Sequence, residues 1–71
     1  MTYRNQDIKY SILRLPEVQQ QCGLSRSAIY QRISDDKFPK SISLGSRARG
    51  WISSEIQDWI KSRLDESRME G

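Results

Sequence analysis

Apolar residues recur along this chain in three stretches with different spacing, and each stretch predicts its own element. Between Leu13 and Ile33 the spacing is helical but interrupted: Val18 and Cys22 lie four apart on one face, and Ile29 and Ile33 resume the stripe after a break. Pro16 suits the first turn of a helix, where its missing N–H costs nothing. Gly23 closes that helix, because it takes the left-handed conformation without a steric penalty. Ser25 then caps a second helix, and Leu24 before it packs on Ile29 as a staple that fixes the entry angle. The spacing therefore predicts two short helices joined through Gly23-Leu24-Ser25, the turn of a helix-turn-helix. The second helix covers 25 to 35 and stops before Phe38-Pro39, since the residue preceding a proline is pushed out of the helical region.

In the next stretch, Ile42 and Leu44 alternate with Ser41 and Ser43, the period of a half-buried strand. Gly45-Ser46 signals a turn, after which Arg49 to Ile52 returns as a second strand and leaves Ser46, Arg47 and Ala48 at the hairpin tip. The last stretch is helical again, with Ile56, Trp59, Ile60 and Leu64 repeating along one face. Ser53 or Ser54 caps it, and with Ser54 as the cap Gln57 falls where a capping box needs it. Ile12, Leu13 and Leu15 form a brief apolar segment, either a short strand or an anchor for the first helix. Gln19, Gln20 and Gln21 leave one face of the first helix polar. Trp51 and Trp59 are the expected core anchors, each able to bury on the order of 200 Å². The expected organisation is a flexible arm over 1–11, one mainly α domain with a small β-hairpin over 12–65, and a disordered tail over 66–71.

Composition narrows the chemistry. The chain has 71 residues, one cysteine and no histidine, so it forms no internal disulfide and lacks the commonest metal ligand and general base. No apolar run approaches the roughly 20 residues of a membrane span, and the first ten residues lack a signal peptide's apolar stretch. These features predict a cytoplasmic protein with no cofactor, metal, membrane or small-molecule ligand. Charge is unevenly spread: residues 1–53 hold nine basic side chains against four acidic, a net of +5, whereas 54–71 net −2. A polyanionic partner therefore belongs to the first part.

Leu13-Arg14-Leu15-Pro16-Glu17-Val18, Gly23-Leu24-Ser25-Arg26-Ser27 with Ile29-Tyr30, Phe38-Pro39-Lys40, Leu44-Gly45-Ser46-Arg47-Ala48 with Gly50-Trp51, and Ser54-Glu55-Ile56 with Trp59-Ile60 stand in the order of a known pattern. Together they resemble the AlpA family of prophage regulators over residues 12 to 65. Such proteins are similar to the DNA-binding domain of MerR-type regulators and to phage excisionases. The resemblance implies a winged helix-turn-helix fold, three helices plus a wing. In it the second helix enters the major groove and the hairpin lies on the backbone or minor groove. It also implies a role on mobile elements, either activating transcription or directing excision.

The side chains that would do this follow from helix geometry. With Ile29 pointing inward at about 100° per residue, Ser27, Gln31 and Ser34 point outward and Tyr30 sits at the flank. Arg26, at the helix start, can present its fork to guanine O6 and N7, and Gln31 can pair with adenine N6 and N7. Ser25 and Ser27, with the free N–H groups of the first turn, suit a phosphate, although capping is the first use of Ser25. Ser46, Arg47 and Arg49 form the tip and flank of the hairpin, where charge also guards an exposed edge. Lys37 and Lys40 are expected to contact phosphates without reading sequence. Phe38 belongs in the core. A module of this size buries about 600–1,000 Å² on DNA and reads few base pairs, so several copies are expected to bind together. Double-stranded DNA, further copies of the chain and an integrase are the expected partners. A sequence-specific regulator is the leading reading, an excisionase the second, and a protein-interaction module the alternative of another class. No acid pair, histidine or phosphate loop points to an enzyme.

Overall fold

The computed structural model describes residues 11–70, with side chains through Arg68. Six elements follow one another: β1 (Ile12–Leu13), α1 (Leu15–Cys22), α2 (Arg26–Ser34), β2 (Ile42–Ser43), β3 (Arg49–Ile52) and α3 (Ser53–Glu70). Three helices and a small antiparallel sheet make a winged helix-turn-helix. Ile12-Leu13 is a strand, so the sheet has three members in the order β1-β3-β2, with the hairpin strand β3 in the middle. Ile12 pairs with Ile52 and Leu13 with Trp51 on one side, Ile42 with Gly50 and Ser43 with Arg49 on the other.

Gly23 ends α1 at φ 68°, and its N–H donates to the Gln19 carbonyl at 2.8 Å. Helix α2 ends by a different device. Asp36 takes φ 63°, Lys37 N–H donates to the Arg32 carbonyl at 2.8 Å, and Asp36 N–H to that of Ile33 at 3.0 Å. This crossed pair is a Schellman closure with an aspartate in the position glycine usually fills. The chain therefore turns before Pro39 acts on it.

Val18, Ile29, Phe38, Trp51 and Ile56 form the buried centre, one from each of α1, α2, β3 and α3 plus Phe38 from the connection after α2. Leu13, Leu15, Cys22, Leu24, Ile33, Trp59 and Ile60 pack around them. Trp51 is 1% exposed, and its Nε1–H donates to the Pro39 carbonyl at 3.0 Å, which satisfies the indole inside the core. Trp59 is only half-buried. It meets Phe38 edge-on at 4.9 Å and donates to the Lys37 carbonyl at 3.0 Å. The polar face of α1 has a use as well, since Gln57 of α3 donates to Gln21 Oε1 at 3.1 Å.

The last helix departs from expectation at both ends. It starts at Ser53, ahead of Ser54, so Gln57 lies past the third helical position that a capping box uses, and its amide donates to Gln21 Oε1. Ser53 N–H donates to the Ser11 carbonyl at 2.8 Å, so the strand ladder runs directly into the helix. At the far end α3 continues to Glu70, through most of the segment expected to be a disordered tail. Lys61 pairs with Asp65 at 3.1 Å and Arg63 with Glu66 at 3.0 Å, spacings that support an exposed helix, and neither glycine nor proline interrupts it. Of the arm expected over 1–11, residues 1–10 lie outside the described residues, and Ser11 joins β1 to the start of α3 through its carbonyl and its hydroxyl, which donates to Ser53 Oγ at 2.8 Å.

Candidate nucleic-acid interface

All ten side chains selected from the sequence, Ser25, Arg26, Ser27, Tyr30, Gln31, Lys37, Lys40, Ser46, Arg47 and Arg49, are exposed. The structure places them in three groups. Ser25 caps α2, its hydroxyl accepting from Ala28 N–H at 3.1 Å, and Arg26 and Ser27 occupy the first turn beside it. Arg26 does not swing free: its guanidinium rests over the Tyr30 ring, 5.3 Å from the centroid, as residues four apart on a helix permit. Tyr30 in turn meets Trp51 edge-on at 6.4 Å. A single column thus runs from the core through Tyr30 to a surface cation. Gln31 reaches along α2 to both carboxylate oxygens of Asp35 at 3.4 and 3.3 Å, contacts long enough to be weak.

The hairpin group sits next to that column, because Trp51 is two residues from Arg49 on β3. Gly45 opens the tip at φ 152°, a conformation that other residues rarely adopt, and Leu44 N–H closes it on the Ala48 carbonyl at 2.7 Å. Ser46 and Arg47 lie in the bend between. Regular strand begins only at Arg49, so alternation does not by itself put Arg47 and Arg49 on one face. Arg49 Nε donates to Ser41 Oγ at 2.7 Å, and its carbonyl accepts from Arg14 Nε at 3.0 Å.

Arg14, which the sequence reading left out of the basic contact set, lies beside the hairpin group. It stands at the N-cap of α1, its N–H donating to Glu17 Oε1 at 2.8 Å, and its side chain crosses to the base of the hairpin. A long cation where serine, threonine or aspartate is usual was the available signal.

The third group, Lys37 and Lys40, follows α2. Lys40 faces Asp36 at 3.8 Å, both well exposed, an arrangement worth little in water. The other ion pairs among the described residues are the two on α3, Lys61–Asp65 and Arg63–Glu66. Arg14, Arg26, Lys37, Arg47 and Arg49 therefore have no carboxylate partner there. Cations left unneutralised on the helix and hairpin are free to neutralise something else.

The model of the prophage CP4-57 regulatory protein family, AlpA, matches residues 11–64 of this chain. The chain belongs to the AlpA family. This AlpA-family chain is 41% identical over 58 residues to the DNA-binding transcriptional activator AlpA of Escherichia coli K12, a match over 73% of this chain and 83% of that protein. It is 46% identical over 52 residues to the uncharacterized protein ORF88 of Enterobacteria phage P4, over 73% of this chain. The match spans 59% of the phage protein's length. The matched segment of the AlpA-family model contains every element from β1 to β3 and most of α3. No helix among the described residues is long and apolar enough to cross a membrane.

Proposed function

We propose that this chain is a sequence-specific DNA-binding transcriptional regulator of a prophage or integrative element. The observation that carries it is the set of exposed cations without carboxylate partners on α2, the hairpin and Arg14, joined through Tyr30 and Trp51. In this reading α2 enters the major groove. Arg26 reads guanine, Gln31 reads adenine after releasing Asp35, and Ser27 and Tyr30 line the same face. Ser25, with the first-turn N–H groups, approaches a phosphate. Arg47 and Arg49, with Ser46, place the hairpin on the backbone or minor groove, and Lys37 and Lys40 hold phosphates. The relative whose name describes it as a DNA-binding transcriptional activator supports the assignment. Copies bound on adjacent sites would supply the specificity that one small module lacks, and an integrase is a partner if the outcome is excision.

The test is fluorescence anisotropy on DNA upstream of an integrase gene, where the element that encodes this chain carries one, and on a scrambled duplex, each across a range of salt. Preference for the upstream DNA, with a log–log slope near −4 to −5 for about five phosphate contacts, supports the proposal. Equal binding to both overturns the sequence-specific reading in favour of an architectural one. Absence of binding at low salt overturns DNA binding altogether and leaves a protein-interaction module.

A further inference from the structure

The flank of α2 that faces away from the hairpin carries a second basic feature, which the sequence reading touched at Gln31 and Lys37 but not at Arg32 or Arg63. Gln31, Arg32, Asp35, Lys37, Trp59 and Arg63 line one cleft between α2 and α3. Three cations face a single carboxylate there, and two backbone devices bring them together. The Schellman closure folds Lys37 back onto α2 by its bond to the Arg32 carbonyl, and the Trp59 indole ties the Lys37 carbonyl to α3. Arg63 follows Trp59 by four residues, one helical turn, and so stands over the same opening. Asp35 is held only weakly by the Gln31 amide, and when Gln31 turns to the groove this one carboxylate still stands against three cations. Arg32 makes only a long contact, 3.5 Å, to the Ala28 carbonyl. Arg63 holds Glu66 in an exposed pair of the kind that contributes little and is readily exchanged.

The place of this cleft gives its ligand. A helix with side chains is about 10–12 Å across and the major groove is about 12 Å wide, so a helix seated in the groove meets phosphates on both flanks. The Arg26 and Tyr30 flank adjoins the hairpin through Trp51, and Arg32 lies on the other. We propose that Arg32, Lys37 and Arg63 form a clamp for backbone phosphates on the DNA strand opposite the one the hairpin meets. This rests on the DNA-binding reading above. It makes α3 part of the interface.

The experiment is salt-dependent anisotropy with the full chain and with Arg63→Ala, Arg32→Gln and Arg68→Ala, circular dichroism confirming that each is folded. Arg68 is exposed on the same helix outside the cleft and is the control. Arg63→Ala and Arg32→Gln should each reduce the slope by about 0.9, so that a variant's deficit shrinks about 3.5-fold between 50 and 200 mM salt. Preference for target over scrambled DNA should not change. A neutral methylphosphonate at the phosphate the clamp holds should reproduce the Arg63→Ala deficit and fail to add to it, whereas one on the strand the hairpin meets should add to it. A slope for Arg63→Ala equal to that of Arg68→Ala, while the parent chain binds DNA normally, overturns the clamp and leaves the DNA reading intact. Inorganic phosphate that shifts the Trp59 indole N–H resonance at matched ionic strength, with slopes unchanged, shows an anion site unconnected with DNA and likewise overturns it. A parent chain that binds no duplex overturns both.

Discussion

Gly50 is the position where the fold leaves no room for a side chain, and Gly50→Ala measures how tightly the sheet closes. A Cβ built there overlaps Ile12 Cγ2 and lies 3.0 Å from Leu44 Cδ1 and 3.2 Å from the Leu13 carbonyl oxygen. Leu44 is exposed enough to rotate away. Ile12 is stiff at χ1 and lies in the β1–β3 ladder, and the carbonyl moves only if β1 moves. Such overpacking costs about 1–3 kcal/mol, offset by about 0.4–1 kcal/mol from alanine's smaller unfolded-state entropy. The net expected loss is about 1–2 kcal/mol, or about 5–15 °C in Tm for a domain this small. Thermal melts followed by circular dichroism read it. In an Ile12→Ala background the methyl group in the way is gone, and the penalty of Gly50→Ala should shrink by about 1 kcal/mol. An unchanged or raised Tm for Gly50→Ala, or an equal penalty in both backgrounds, would refute the close approach as its cause.

Asp36→Gly relieves an L-residue held at φ 63°, and strain relief outweighs the added unfolded-state entropy by about 0.5 kcal/mol; Tm should rise by a few degrees in the same melts. Arg26→Ala should lower discrimination between target and scrambled duplex, whereas Arg47→Ala should weaken binding to both and reduce the salt slope by about one unit; identical behaviour of the two would sink the division between reading helix and backbone hairpin. Burial raises the Cys22 thiol above its ordinary pKa. The thiolate is therefore disfavoured in the fold, so this contribution to stability is complete below the ordinary thiol range near pH 8.5 and is lost as pH rises through the higher folded value. Iodoacetamide alkylation of the folded chain at pH 8.5 should be slower than that of the urea-unfolded chain, and equal rates would contradict the shift.

Local chemistry made much of this protein readable from its residues. Gly23 and Ser25 specify a turn between two helices because one accepts a left-handed backbone and the other supplies a capping oxygen, and both do so in the structure. The turn at Gly45-Ser46 and the return at Arg49–Ile52 made the hairpin readable, but β2 is not the half-buried strand that its alternation predicts: Ile42 and Leu44 are 38% and 40% exposed, because no element among the described residues covers that side of the wing. The outward set on α2 follows from Ile29 pointing in, and Ser27, Gln31 and Ser34 are exposed as that direction requires, while Tyr30 at the flank touches Trp51.

What the residues could not decide by themselves depends on pairs distant in sequence. Ile12-Leu13 is a strand only because β3 arrives to pair with it, and Ser53 enters α3 already bonded to Ser11. Arg14 meets the hairpin across 35 residues. Arg63 reaches the Lys37 cleft only because Trp59 finds a carbonyl 22 residues away. Helical periods and turn residues express forces acting within a few positions. The grouping of cations into surfaces comes from burying Trp51, Ile29 and Ile56 in one core, a cooperative choice made by the whole chain.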